Sequence, residues 1–350
     1  MALTTPASLG FRMPAEWSPH RGTWLSWPHR ESSWPRNFAP VPGVVAEMVR
    51  HLAPGEEVHI NVADDALEAS AREVLRASGV PTANVFFHRN PTNDAWCRDH
   101  GPIFVQRDLP AGGGEELILD WGYNAWGGKY PPFDLDDQIP QRVAAEFGIP
   151  FESPGMILEG GSIDVNGRGT LLTSEQCLLH PNRNPKLGKT EIENYLRAYL
   201  GVRHFIWLKE GIAGDDTDGH IDDIARFVNP TTVLCARQPD ENDPDHAVLE
   251  ENFRLLEAAT DQDGNKLRVI PLPVPGWVGD QQGKLPASYA NFYIGNTKVL
   301  VPLFDTENDA AALEVLQSVF PDRKVVGINA RYLVYGLGTF HCMTQQQPAV

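Results

Sequence analysis

Four short polar clusters hold most of the side chains in this sequence that could carry out chemistry. They are NDAWCRDHGP at 93–102, LEGGSID at 158–164, GDDTDGHIDD at 214–223 and FHCMTQQQ at 340–347. Burying carboxylates costs several kcal/mol unless each finds a charge partner. Three acidic clusters that meet a histidine and a thiol therefore call for a cation between them. Cys342 precedes a run of glutamines, where a core cysteine would have apolar company on both sides. If the segments around 220 and 342 are strands, residues i and i+2 share a face. That register puts His220 with Asp222 and turns Ile221 and Asp223 the other way. It also sets His341 opposite Cys342, so the distant His220 becomes the partner expected for the thiol.

Plainer readings account for the neighbouring residues. Cys177 in EQCLLH and Cys235 in TVLCA lie in apolar runs and read as small core residues. Cys97 reads as structural. Asp215 and Asp216 either solvate or cap a turn, and Arg98 pairs with a carboxylate to hold its loop. The glycines 112–114 lack a following Lys-Ser/Thr and make a loop, not a phosphate cradle. The sequence has neither H-E-x-x-H nor a G-x-S-x-G elbow.

Residues so far apart need a repeating scaffold to meet. Helical patterns run over 64–78, 189–199, 243–258 and 307–319, each followed by a short apolar segment: NVFFH, HFIWL, LRVIPLPV or KVVGI. Helix then strand, several times over, is α/β organisation. Strand-turn-strand patterns start near Gly101, Gly161, Gly219 and Ala290, in steps of 60, 58 and 71 residues. GTWLSWP from Gly22, paired with the C-terminal FHCMTQQ, makes a fifth. A period of roughly 60 residues holding a hairpin and a helix predicts a closed ring of similar modules. Residues at equivalent strand starts would then meet near its axis. No linker divides residues 1–350, so one domain is expected.

Composition narrows the function classes. A net charge of −17 gives no basic face for nucleic acid. No run approaches the roughly 18 apolar residues of a membrane span. The opening MALTTPASLGFRMP lacks the features of a secretory signal, and the four scattered cysteines read as reduced thiols, so a cytoplasmic enzyme is expected. A homo-oligomer is compatible with the chain, but its order is not readable.

In order along the chain, MPAEWSPHRGTWLSWP, NDAWCRDHGPIFV, WGYNAWGGKYPPFDLDD, LEGGSIDVNGRGTLLT, GDDTDGHIDDIARFV and HCMTQQQPA resemble the agmatine deiminase and Porphyromonas-type peptidyl-arginine deiminase family. The resemblance runs from about residue 13 to the C-terminus. It implies a five-bladed, pseudo-symmetric α/β propeller of pentein-type ββαβ repeats around a central pocket. Position by position, Cys342 matches the nucleophile and His220 the general acid/base. Asp99 and Asp222 match the carboxylates that grip a guanidinium, Glu159 the acid that partners the histidine, and Trp96 an aromatic lining the pocket.

The implied reaction is deimination of a small cationic guanidine through a Cys thiouronium, with no metal and no cofactor. Agmatine giving N-carbamoylputrescine is the first expectation; peptidyl arginine or another guanidine is the alternative. Three positions depart from the agmatine pattern: Leu337 in place of a glycine, and Asp218 and Asp223 in place of asparagines. Additional acid near the pocket mouth would suit a longer or doubly cationic substrate. Two rivals remain from other classes. One is a metal-dependent hydrolase using His220, Asp215, Asp222 and His180; the other is a non-enzymatic binder of a cationic ligand.

Overall fold

In the computed structural model, which describes residues 4–350, one sheet pattern occurs five times. A strand pairs antiparallel with the next, a helical segment follows, and a third strand returns parallel to the second. The strand trios are 103–108, 114–119 and 151–152; 164–165, 170–174 and 204–208; 225–229, 232–237 and 268–273; and 293–294, 298–303 and 324–329. The fifth occurrence joins the two ends of the chain. Thr344–Pro348 runs antiparallel to His20–Ser26, which is followed by parallel strands Glu57–Asn61 and Val85–His88. Gly279–Asp280 with Gly283–Lys284 forms a separate two-stranded ribbon. The fold is mixed α/β, and among the described residues no helix is long and apolar enough to cross a membrane.

The expected helices appear as Asp65–Ala77, Lys189–Leu200, His246–Ala258 and Asp309–Val319. Their local causes are visible. Asp64 accepts the Leu67 N–H at 2.8 Å and caps the first of them. In the second, Ile192, Leu196 and Leu200 bury one face, and Gly201 ends it at φ 68°. Two further helices, Val41–Leu52 and Ile139–Phe147, carry proline in their first turn. There a missing N–H costs nothing, so Pro42 and Pro140 sit in the first turn without breaking these helices.

Two strand readings need correction. Ile221–Asp223 is a 3-10 turn, and the strand begins at Ala225; Phe340–Met343 is a helical turn, and the strand begins at Thr344. Each belongs to a set. One-turn helices at 97–100, 160–162, 221–223, 289–291 and 340–343 precede the first strand of each module. Each turn packs against the next, and the fifth packs against the first. Successive residues in such a turn rotate by about 120°, not the half-turn of a strand. Asp222 and Asp223 can therefore both face inward.

Candidate active site

The five turns bring the sequence-distant polar residues together. Asp99 is 5% exposed, Cys342 5%, and His220 and Asp222 0%. The His220 ring Nδ1 lies 3.8 Å from Asp99 Oδ1 and 4.0 Å from Asp222 Oδ1. The Cys342 sulfur lies 3.7 Å from Asp222 Oδ2. Gly161 makes this approach possible: its N–H donates to Asp99 Oδ1 at 3.0 Å, and a Cβ there would stand 2.5 Å from His220 Nδ1. The loop before His220 is held by Asp215, which accepts the N–H groups of Thr217, Gly219 and His220. The turn-capping reading of Asp215 therefore holds.

A cavity of about 760 Å³ opens onto this cluster. Its buried wall includes Trp96, Asp99, Trp126, Gly338 and Cys342, and more exposed parts include Arg36, Tyr130, Asp216 and Asp280. His220 and Asp222 are outside this lining and sit directly behind it. Four polar atoms here are buried without a hydrogen-bond partner: Asp222 Oδ1, Glu159 Oε2 and both ring nitrogens of His220. Such orphans are few in folded proteins and each needs an explanation; these four are gathered beside the cavity.

Charge is shared unevenly. Burial alone would lower the His220 pKa, but Asp99, the Cys177 thiol and Asp222 together carry it well above 6.5. Burial, reinforced by Asp222 and Glu159, pushes Asp99 up to about 6 against the pull of His220 and Trp126. Asp222 is lowered despite its burial, mainly through its hydrogen bond with His341. Burial and the carboxylates of Asp222, Asp223 and Asp99 drive the Cys342 thiol well above 9. The resting site is thus a neutral thiol beside an imidazolium, ringed by acids.

Glu159 lies between an arginine and the histidine. Its Oε1 accepts the Arg183 Nε at 2.7 Å, both side chains being fully buried. Towards His220 it offers only proximity: one oxygen, the Cys177 sulfur and a His220 nitrogen lie within 4.8 Å of one another. Cys177 is indeed buried core, and it also abuts the histidine. Cys97 and Cys235 are plain core thiols, with burial pushing Cys97 up to about 12. Arg98 does hold its loop, through Gln346 Oε1 at 2.8 Å and Glu16 Oε2 at 3.4 Å.

Neither Asp218 nor Asp223 is a free acid at the cavity mouth, where Asp216 and Asp280 stand instead. Asp218 is clamped by Arg183 at 2.6 Å and Lys129 at 2.8 Å, which outweigh its burial and hold it at about 2. Asp223 is buried behind the site and bonded to Asn291. The donors proposed for a metal hydrolase also fail to assemble. Asp215 is occupied by backbone N–H groups, and His180 Nδ1 accepts from Asn182 N. Among the described residues, the one cluster of three potential metal donors is Glu159, Cys177 and His220.

Several contributors escaped the sequence reading. Trp126 donates to Asp99 Oδ2 at 3.0 Å from a strained backbone with φ 55°. His341 lies between Asp222, at 2.7 Å, and Glu16, at 2.8 Å. Glu16 also pairs with Arg226 at 2.8 Å, tying the strand starts together from below. Asn291 touches the Cys342 sulfur. Its only sequence signal is its place in the repeat.

Residues 12–348 match the model of the Porphyromonas-type peptidyl-arginine deiminase family. The chain belongs to this family. It is 39% identical to the agmatine deiminase of Ectopseudomonas mendocina, over 99% of this chain and 98% of that protein. The solved agmatine deiminase of Enterococcus faecalis superposes with a TM-score of 0.92 at 35% identity, covering 100% of this chain and 99% of that one. A cysteine-to-serine form of the C. jejuni agmatine deiminase with substrate bound has a TM-score of 0.86 at 32% identity, each chain being 96% covered. Within the family, the cavity with its thiol is the place to look for chemistry.

Proposed function

We propose that this chain is a hydrolase that deiminates a guanidinium, with agmatine and water giving N-carbamoylputrescine and ammonia. The observation that carries the reading is the thiol at the wall of a cavity, close to the buried carboxylates of Asp99 and Asp222 and to an imidazole whose two ring nitrogens lack partners. A guanidinium is planar, permanently charged and rich in N–H donors, so Asp99 and Asp222 can grip it with charge-assisted bonds. The agmatine deiminases among its relatives support agmatine as the substrate. The cyclic packing of five equivalent turns supports a closed five-bladed ring forming one domain around the site.

In this reading the Cys342 S–H bond breaks as the cation binds, its proton passes to solvent, and the thiolate attacks the guanidinium carbon to form a C–S bond. His220 gives its proton to one nitrogen, the C–N bond breaks, and ammonia leaves a thiouronium. Neutral His220 then takes a proton from water as its oxygen bonds to the same carbon. The C–S bond breaks as the added hydroxyl becomes the carbonyl and gives its proton to the departing sulfur, releasing the thiol and a ureido product. Acid/base help of this kind is worth roughly 10²–10⁴-fold. Glu159 sits near enough to His220 to favour its charged form, and Trp96 supplies a flat wall.

Ammonia release should be measured with agmatine, arginine, arginyl peptides and methylated guanidines. Turnover of agmatine that disappears in Cys342→Ser supports the assignment. Turnover of internal peptide arginines alone would replace agmatine with the second substrate class, and chelator-sensitive turnover that survives in Cys342→Ser would replace the mechanism.

A further inference from the structure

We propose that Asn291 is a further catalytic residue, whose side-chain amide donates to the Cys342 sulfur and holds it as a thiolate acceptor. The proposal rests on the reading of Cys342 as nucleophile. Asn291 lies on the 289–291 turn of the fourth module, the counterpart of the turns bearing Asp99, Asp222 and Cys342. It is fully buried.

The orientation of the amide is fixed by its surroundings. Oδ1 receives three donors: Thr339 Oγ1 at 2.7 Å, His341 N at 3.0 Å and Cys342 N at 3.4 Å. Only an oxygen can sit there, so the NH₂ group faces the other way. Its two hydrogens have two acceptors, Cys342 Sγ at 3.1 Å and Asp223 Oδ1 at 3.1 Å. One side chain therefore shapes the cysteine turn through its oxygen and meets the reacting atom through its nitrogen.

A thiol is a weak acceptor and a thiolate a strong one, so this N–H favours the anion. Of the other close neighbours of the sulfur, the carboxylates of Asp222, Asp223 and Asp99 raise the thiol, and the backbone of Thr339 lowers it. Among the side chains around it, Asn291 is the one placed to donate to a negative sulfur. It also keeps Asp223 bonded, so that its carboxyl does not approach the sulfur unpaired.

The pH dependence of Cys342 alkylation by iodoacetamide, followed by mass spectrometry of its peptide, tests this. Asn291→Asp keeps an acceptor for the three donors and removes the amide hydrogens. Its alkylation midpoint should rise by about one pH unit or more, roughly tenfold less thiolate at a fixed pH. Thr339→Val, which loses a bond to Oδ1 alone, should lower Tm and leave the midpoint in place. A folded Asn291→Asp with the wild-type midpoint and kcat would overturn the proposal. If the variant does not fold, wild-type protein labelled with 15N-asparagine still decides. One side-chain amide must shift as the thiol titrates and stay still in Cys342→Ala, and its absence would be fatal. Full turnover by Cys342→Ser, in contrast, would defeat the nucleophile reading itself.

Discussion

Asp222 Oδ2 and the sulfur of Cys342 lie 3.7 Å apart, with the thiol donating to the carboxylate across 120 residues of sequence. The pair is stable as thiol and carboxylate, and repulsive as thiolate and carboxylate. A guanidinium entering between them would give Asp222 a new donor in place of the S–H. The cation would also favour the anion left on sulfur. Substrate binding and thiol activation are then one event. Ultraviolet titration at the thiolate band should show a midpoint above 9 in the free protein and a clear fall with a bound guanidinium ligand. Identical midpoints in both states would break this coupling.

Asp99 predicts the acid limb. Its pKa is pushed up to about 6 by burial, so its carboxylate, and with it the grip on a cation, is lost as pH falls through that value. Plotted against pH, kcat/KM should fall below about 6. The stability sign is opposite. A raised folded pKa is a penalty absent below the usual carboxylate value and complete above about 6. Asp99→Asn loses one of the bonds from Gly161 and Trp126 at every pH, but relative to wild type it should gain on the order of 2–3 kcal/mol between pH 4 and pH 8. Denaturant titrations at the two pH values would show it. A gain independent of pH would point to a cause other than ionisation.

How much of this was readable before the fold was known differs residue by residue. Cys342, Asp99, His220 and Asp222 stand out because unusual residue types recur at the same place in the repeat. Asn291 occupies that place too, yet an asparagine in SYANFYI carries no charge to mark it. The paired-face reading of GHIDDI failed because alternation holds for strands, and a single helical turn there brings Asp223 inward. The helices at Val41–Leu52 and Ile139–Phe147 were hidden by prolines that are harmless at a first turn. Glu16 was out of reach for another reason. Its partners Arg98, Arg226 and His341 become neighbours only when the modules pack, and no local pattern encodes that.

Arg183 should be a stability residue with a catalytic shadow. It is fully buried and serves Glu159 at 2.7 Å, Asp218 at 2.6 Å and the Thr217 carbonyl at 2.8 Å. Arg183→Leu leaves the Glu159 carboxylate buried without its partner, at a cost of roughly 3–5 kcal/mol. Replacing both partners, in Arg183→Leu/Glu159→Leu, should cost less than the single change, because no lone charge remains. Urea unfolding of the three variants measures the difference. A single-variant cost below about 1 kcal/mol would mean that Glu159 finds another donor.

Leu337 separates strain from shape. It lines the cavity with φ 67°, where an L residue carries roughly 1–2 kcal/mol of strain that glycine avoids. Glycine returns part of this through the unfolded chain, about 0.5–1 kcal/mol. Leu337→Gly should therefore be neutral to slightly stabilising, while Leu337→Ala keeps the strain and should not gain. Both remove the same wall from the cavity, so both should change KM for guanidines of different length in the same direction. Tm and KM measured on the pair divide the two effects. If alanine stabilises as much as glycine, the backbone at 337 is unstrained, and the leucine is there for the cavity alone.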